Sequence, residues 1–186
     1  MIETNDFRAG TMFEMDGQLL TIVSVEHIKL ARAGAVIKAK LRNVRTGSIF
    51  EQSFRSGDKY RAARIDKEPA TYLYNDGDHY YFMNSETYEQ VPLNRDAVAG
   101  VLPFLKEGGE VSILRYNDAV IGVEVPITVV LTVAGTDPGL RGDTVSGATK
   151  PARLETGATV QVPLFVNTGD AIKVDTRSGN YIERVS

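Results

Sequence analysis

A chain of 186 residues, 42% hydrophobic and 24% charged, has the make-up of a folded globular protein, and disorder is excluded as its default state. Its lack of cysteine excludes disulfides, thiolate nucleophiles and thiolate metal sites. The net charge of −3 is unevenly spread: residues 1–64 carry +4, residues 65–127 carry −7 and residues 128–186 carry 0, so a polyanion would be met mainly by the first segment.

In chain order, FRAGTMFEMDGQLLTIVSV supplies two short apolar runs split by Asp16-Gly17, a pair suited to the positive φ of a tight hairpin turn. Next comes HIKLARAGAVIKAKLR, a hairpin with Arg32 among small residues at its apex. Ala31, Ala33 and Gly34 permit a narrow tip, and Gly34 accepts positive φ without steric cost. In the strand that follows, Ile37, Ala39 and Leu41 alternate with Lys38, Lys40 and Arg42, which predicts an apolar face and a cationic face. VRTGSIFEQSFRSG reads as a further strand pair turning at Thr46-Gly47, and these strands together predict a half-open barrel of about 60 residues. DKYRAARIDKEP shows no strand alternation and contains Pro69, so it reads as a linker or short crossing segment.

Beyond it, TYLYNDGDHYYFMNSETYEQV predicts a hairpin centred on Asn75-Asp76-Gly77. DAVAGVLPFLKEGGEV is the most helix-like stretch, interrupted at Pro103 and ended at Gly108-Gly109. VSILRYNDAVIGVEVP predicts a hairpin turning near Asn117-Asp118. A last group follows: ITVVLTVAGTD, the turn Asp137-Pro138-Gly139, the loop RGDTVSGATKPA, then ARLETGATVQVPLFV and AIKVDTRSGNYIERV. Short strands with turn signals every 8 to 12 residues or so are the pattern of small β-barrels. The expectation is an all-β protein of three consecutive barrels, at 1–64, 65–127 and 128–186.

Few residues suggest chemistry. His27 and His79 lie far apart without metal-ligand spacing, and Asn75-Asp76-Gly77-Asp78 lacks the distal glutamate of a calcium loop, so no metal site, cofactor or catalytic group is expected. The glycines of GDTVSGATK lack the Gly-Lys-Ser/Thr ending of a phosphate-binding loop. Lys29, Arg32, Lys38, Lys40, Arg42 and Arg45 have only Glu26 as a nearby acid in the run 26–45. A narrow cationic finger of this kind suits nucleic-acid backbones, where a guanidinium donates several hydrogen bonds to phosphate.

The stretches NDFRAGTMFEMDG, TYLYNDGDHYYFMNSETYEQV, TDPGLRGDTVSGATKPARLETGATVQVPLFV and IKVDTRSGNYIERV, in that order and spacing, resemble bacterial elongation factor P across essentially the whole chain. The resemblance implies an SH3-like first domain and two OB-fold domains in an L-shaped, tRNA-like arrangement. It further implies a non-enzymatic translation factor that binds the 70S ribosome between the peptidyl and exit sites and relieves stalling at consecutive prolines. By position, Arg32 would contact the CCA end of the peptidyl-tRNA, with Lys29, Lys38, Lys40 and Arg42 facing RNA. Gly142, Asp143 and Thr144 would lie near the small subunit and the exit-site codon. A monomer is expected, because the factor must enter a confined site alone. No apolar run reaches the roughly 18 residues of a membrane span and MIETNDFRAG has no signal-peptide pattern, so a cytoplasmic protein without a membrane partner is expected.

Two alternatives stay open at this stage: a paralogue of the factor, or a general RNA-binding OB protein, either without the proline-linked activity. The tip also departs from the family pattern. Many members carry Pro-Gly before the tip residue, where this chain has Leu30-Ala31, with Ala33-Gly34 after it. Lysine-type modification is excluded by Arg32, while rhamnosylation by a modifying enzyme and a bare arginine both remain open.

Overall fold

The computed structural model describes residues 1–30, 34–139 and 147–186. Their backbone is nearly all strand and packs as two compact units, Met1–Asp66 and Lys67–Ser186.

The first unit is one antiparallel sheet of β1 (Ile2–Glu3), β2 (Met12–Met15), β3 (Gln18–Leu30), β4 (Gly34–Asn43), β5 (Ile49–Arg55) and β6 (Lys59–Ala62), in the order β1-β6-β2-β3-β4-β5. The turn expected at Asp16-Gly17 is present: Met15 opposes Gln18, and the two turn residues have φ of 51° and 73°. At the β4–β5 turn the Asn43 side chain accepts hydrogen bonds from the backbone N–H of Arg45 and Thr46, and Gly47 has φ 74°.

The segment expected to be a linker proves to be structural. Lys59–Ala62 is β6, which pairs with both β1 and β2, and Tyr60 joins Phe7, Phe13 and Phe54 in an aromatic nest. Ring centroids lie 4.8 Å apart for Phe7–Phe13, 5.3 Å for Phe7–Phe54 and 5.3 Å for Phe54–Tyr60, the last two edge to face. Such pairs add to the stabilisation from burying the rings themselves. Burial, with Asp58 and Asp16 behind it, raises the pKa of the Tyr60 phenol. Pro69 also lies in a strand, β7 (Asp66–Asn75). It precedes the ladder that starts at Ala70↔Asn84, and its carbonyl accepts from the Ser85 N–H.

In the second unit, β7 is followed by β8 (His79–Asn84), β9 (Gln90–Asn94), the one-turn helix α1 (Arg95–Val98), a 3₁₀ turn at Leu102–Phe104, β10 (Glu110–Tyr116) and β11 (Ala119–Glu124). The sheet order is β11-β10-β7-β8-β9, and Phe82, Ile113 and Val98 are buried in its core. The helical stretch is as short as Pro103 predicts, and Asn94 caps it by accepting from the Ala97 N–H. The hairpin turn falls at Asn117 and Asp118, both with positive φ.

The third sheet contains β12 (Thr128–Thr136), β13 (Thr149–Leu154), β14 (Thr159–Pro163), β15 (Ala171–Asp175) and β16 (Tyr181–Val185), in the order β14-β13-β12-β15-β16. Residues 128–132 of β12 pair with β15. Val133, Gly135 and Thr136 of the same strand pair with β13, with a register shift between Val133 and Gly135, so it serves both halves of a curled sheet. The second and third sheets share one unit: Thr156 Oγ1 donates to the Pro103 carbonyl at 2.7 Å, Lys106 pairs with Glu155 at 3.2 Å, and Phe104 packs on the third core.

The last turn makes a pH-dependent prediction. Asp175 accepts from the Arg177 guanidinium at 2.8 and 3.3 Å and from the backbone N–H of Arg177 and Ser178, which holds its carboxyl at about 2, below the usual 3.8. A lowered folded-state pKa means that this contribution is whole above about pH 4 and is lost as pH falls toward 2. In a carbon-13 NMR titration the Asp175 carboxylate should have its midpoint near 2, and Arg177→Ala should move it toward the ordinary carboxylate range.

Candidate functional site: a cationic two-stranded finger

β3 and β4 pair from Leu20↔Asn43 out to Leu30↔Gly34, while β5 accompanies them only as far as Val36↔Arg55. Beyond it the Ser56 N–H still donates to the Ala35 carbonyl at 3.1 Å, so of the described pairs Leu30↔Gly34 projects as a bare end. Gly34 has φ +85°, the left-handed conformation expected of a glycine at the hairpin tip, and a Cβ there would meet nothing within 4 Å. Arg32, Ala31 and Ala33 lie outside the described residues.

Alternation along β4 is as read from the sequence: Ile37, Ala39 and Leu41 are buried, and Lys38, Lys40 and Arg42 are exposed. Directly opposed residues of an antiparallel pair share a face. The cation face therefore also carries Glu26 opposite Lys38, Ser24 opposite Lys40, and from β5 Arg55, Ser53 and Glu51 opposite Val36, Lys38 and Lys40. Lys29 opposes Ala35, which has the parity of Ile37, so it points to the other face together with His27. The structure thus gathers three of the four expected RNA-facing cations and sets the fourth apart. A register shift between Ile22 and Ser24 marks Val23 as an extra residue in β3, and it is this bulge that brings Ser24 and Glu26 onto the cation face.

The electrostatics differ from the sequence reading in two respects. Glu51, absent from the run 26–45, lies 2.9 Å from Lys38 Nζ; the hydrogen bond raises the lysine pKa and lowers that of the carboxylate, with Lys40 adding to the lowering. Arg55 adds a cation that sequence reasoning missed. Among the described residues Lys40, Arg42 and Arg55 make no ion pair, so they hold the uncompensated charge of this face. Pairing of β5 with β4 could have revealed both residues from the sequence, had its register been known.

Gly142, Asp143 and Thr144 also lie outside the described residues. Near the described start of their loop stands a residue not singled out from sequence, Lys150, which is 6% exposed and donates from Nζ to the Asp137 carbonyl at 2.6 Å. His27 and His79 sit on separate units, and no group of three or more His, Asp or Glu able to hold a metal occurs among the described residues. No helix among them is long and apolar enough to cross a membrane.

Serial small antiparallel barrels, the first drawn out into a cationic finger, define a class of all-β multi-barrel protein. Comparison with known proteins gives the family. Residues 3–60 match the Elongation factor P (EF-P) KOW-like domain, residues 65–123 the Elongation factor P (EF-P) OB domain, and residues 129–184 the Elongation factor P C-terminal domain. The chain is 47% identical to elongation factor P of Moorella thermoacetica over 184 residues, covering 99% of this chain and 100% of that one. It is 48% identical to elongation factor P of Caldanaerobacter subterraneus over 185 residues, covering all of both chains. A solved structure of eukaryotic translation initiation factor 5A from Methanococcus jannaschii is 22% identical, with a TM-score of 0.48, over 66% of this chain and 94% of that one. The chain belongs to the elongation factor P family, whose members are translation elongation factors and not enzymes.

Proposed function

We propose that this elongation factor binds the ribosome between the peptidyl and exit sites and stimulates peptide-bond formation at consecutive prolines, with Arg32 positioning the CCA end of the peptidyl-tRNA. The observation that carries this reading is full-length membership of the family, joined to a finger whose bare end leads into Arg32. Proline is a slow nucleophile and a stiff donor. Holding the reacting ends in line is worth several kcal/mol at most sites where it is achieved, without any proton transfer by the factor. A guanidinium stays charged at all physiological pH and offers several hydrogen bonds to phosphate, which suits a positioning role. In this reading residues 1–64, 65–127 and 128–186 act as three modules in the cytoplasm, the chain works as a monomer, and Gly142, Asp143 and Thr144 meet the small subunit. We take Arg32 to act unmodified, because its flanks depart from the family pattern; the intact mass of protein from its native host checks this.

The test is reconstituted translation of a message encoding consecutive prolines. Added protein should restore full-length product on that message and leave a proline-free control unchanged. Equal affinity for free single-stranded RNA and for ribosomes, with no restored product, would instead indicate a general RNA-binding protein.

The cation face makes a graded prediction. Replacing Lys40, Arg42 or Arg55 by Gln should each weaken ribosome binding and reduce the slope of log affinity against log salt by about 0.7 to 0.9, one phosphate contact apiece. Lys38→Gln should do less, since Glu51 already neutralises it, and Glu51→Gln should tighten binding. Equal slopes for the unchanged protein and all five variants would show that this face does not meet RNA.

A further inference from the structure

A second surface lies on the acidic sheet of the second unit, and it is made by a backbone irregularity. Simple alternation from the buried Tyr72 would turn Tyr74 toward the core as well. A register shift between Tyr72 and Tyr74 reverses this: Tyr72 opposes the buried Phe82, while Tyr74 opposes Tyr81 on the outer face and is 45% exposed. The two outer rings stack with centroids 4.7 Å apart at an interplanar angle of 20°. Tyr81 is held in place, its hydroxyl donating to Asp76 Oδ2 at 2.8 Å, while Asp76 Oδ1 accepts from the backbone N–H of Asp78 and His79. Pro92 flanks Tyr81 from β9, and the His79 ring lies 6.4 Å from that of Tyr81. Bulges that re-aim a side chain recur beside functional surfaces.

Charge decides what would settle there. Residues 65–127 hold four Lys or Arg against eleven Asp or Glu. Three of the four cations are already paired: Lys67 with Glu124 at 2.7 Å, Lys106 with Glu155 at 3.2 Å, and Arg115 with Glu68 at 2.9 Å. A polyanion is repelled by such a surface. A guanidinium can lie flat on a tyrosine face and reach a neighbouring carboxylate, whereas an ammonium is more strongly hydrated and fits less well. We infer that the Tyr74–Tyr81 stack, with Asp76 and Asp78 at its edge, is a docking surface for an arginine-bearing segment of a basic protein. This surface is separate from the RNA contacts of the first unit and does not depend on them.

The experiment is an NMR titration of the full chain with three probes: an Arg-Gly-Gly repeat peptide, its lysine counterpart and oligouridylate. The arginine peptide should shift the Tyr74 and Tyr81 ring signals and bind more tightly than the lysine peptide. Tyr74→Ala should weaken its binding about two- to fivefold, the effect of one exposed cation–π contact. Tyr74→Leu serves as the second variant should alanine disturb the fold, because leucine keeps an apolar strand residue and lacks the π face. The inference is overturned by absence of arginine-peptide binding, by equal binding of the two peptides that Tyr74 substitution leaves unchanged, or by ring shifts produced by oligouridylate alone.

Discussion

Replacing Phe13 by alanine should destabilise the unit Met1–Asp66 by about 3–5 kcal/mol. Phe13 is completely buried on β2 and packs with the Phe7, Phe54 and Tyr60 rings, so its loss opens a cavity among aromatics drawn from both ends of the unit. Domains are stable by about 5–15 kcal/mol in all, and a unit this small lies toward the lower end, so the variant should be largely unfolded at modest urea. Phe165→Ala is the control: that ring is 56% exposed, with the Arg184 guanidinium 5.2 Å from its centroid, and its loss should cost less than about 1 kcal/mol. Urea unfolding followed by amide signals of each unit measures both. A cost below about 1 kcal/mol for Phe13→Ala would mean that the nest does not hold the unit together.

The second large effect is expected at the tip. Arg32→Ala should slow proline-proline bond formation in reconstituted translation by about 10- to 100-fold relative to the unchanged protein, the equivalent of losing one or two charge-assisted hydrogen bonds. Ribosome affinity should change little, since Lys40, Arg42 and Arg55 are untouched. That split between rate and affinity separates a positioning group from an anchoring one. Full activity of the alanine variant would remove Arg32 from the mechanism; a large fall in affinity with an unchanged rate at saturation would reassign it to anchoring.

Much of the fold was legible because turn chemistry is local. Asp16-Gly17, Asn43 to Gly47 and Asn117-Asp118 each specify a hairpin through their own φ preferences and side-chain hydrogen bonds, and alternation along 37–42 places three cations on one face. What escaped reading was non-local. Lys59–Ala62 is too short for alternation to show, and its partners lie near the opposite end of the unit, so Tyr60 could not be recognised as a core ring. Glu51 and Arg55 joined the finger only once the β4–β5 register was known. Tyr74 was hidden for a related reason: a bulge breaks the period on which the reading rests.

Val23 shows how far one such irregularity reaches. With it in place, Val25 packs toward the core and Glu26 sits beside Lys38. If Val23 instead took a regular place opposite Lys40, every later residue of β3 would change sides: Val25 would oppose Lys38 and Glu26 would oppose the buried Ile37. The bulged placement of Val23 thus sets the parity of the finger. Deleting this single residue, itself 41% exposed, would close the bulge and keep Ser24 opposite Lys40 and Glu26 opposite Lys38; flattening the bulge with Val23 retained is what would turn the finger's β3 side inside out.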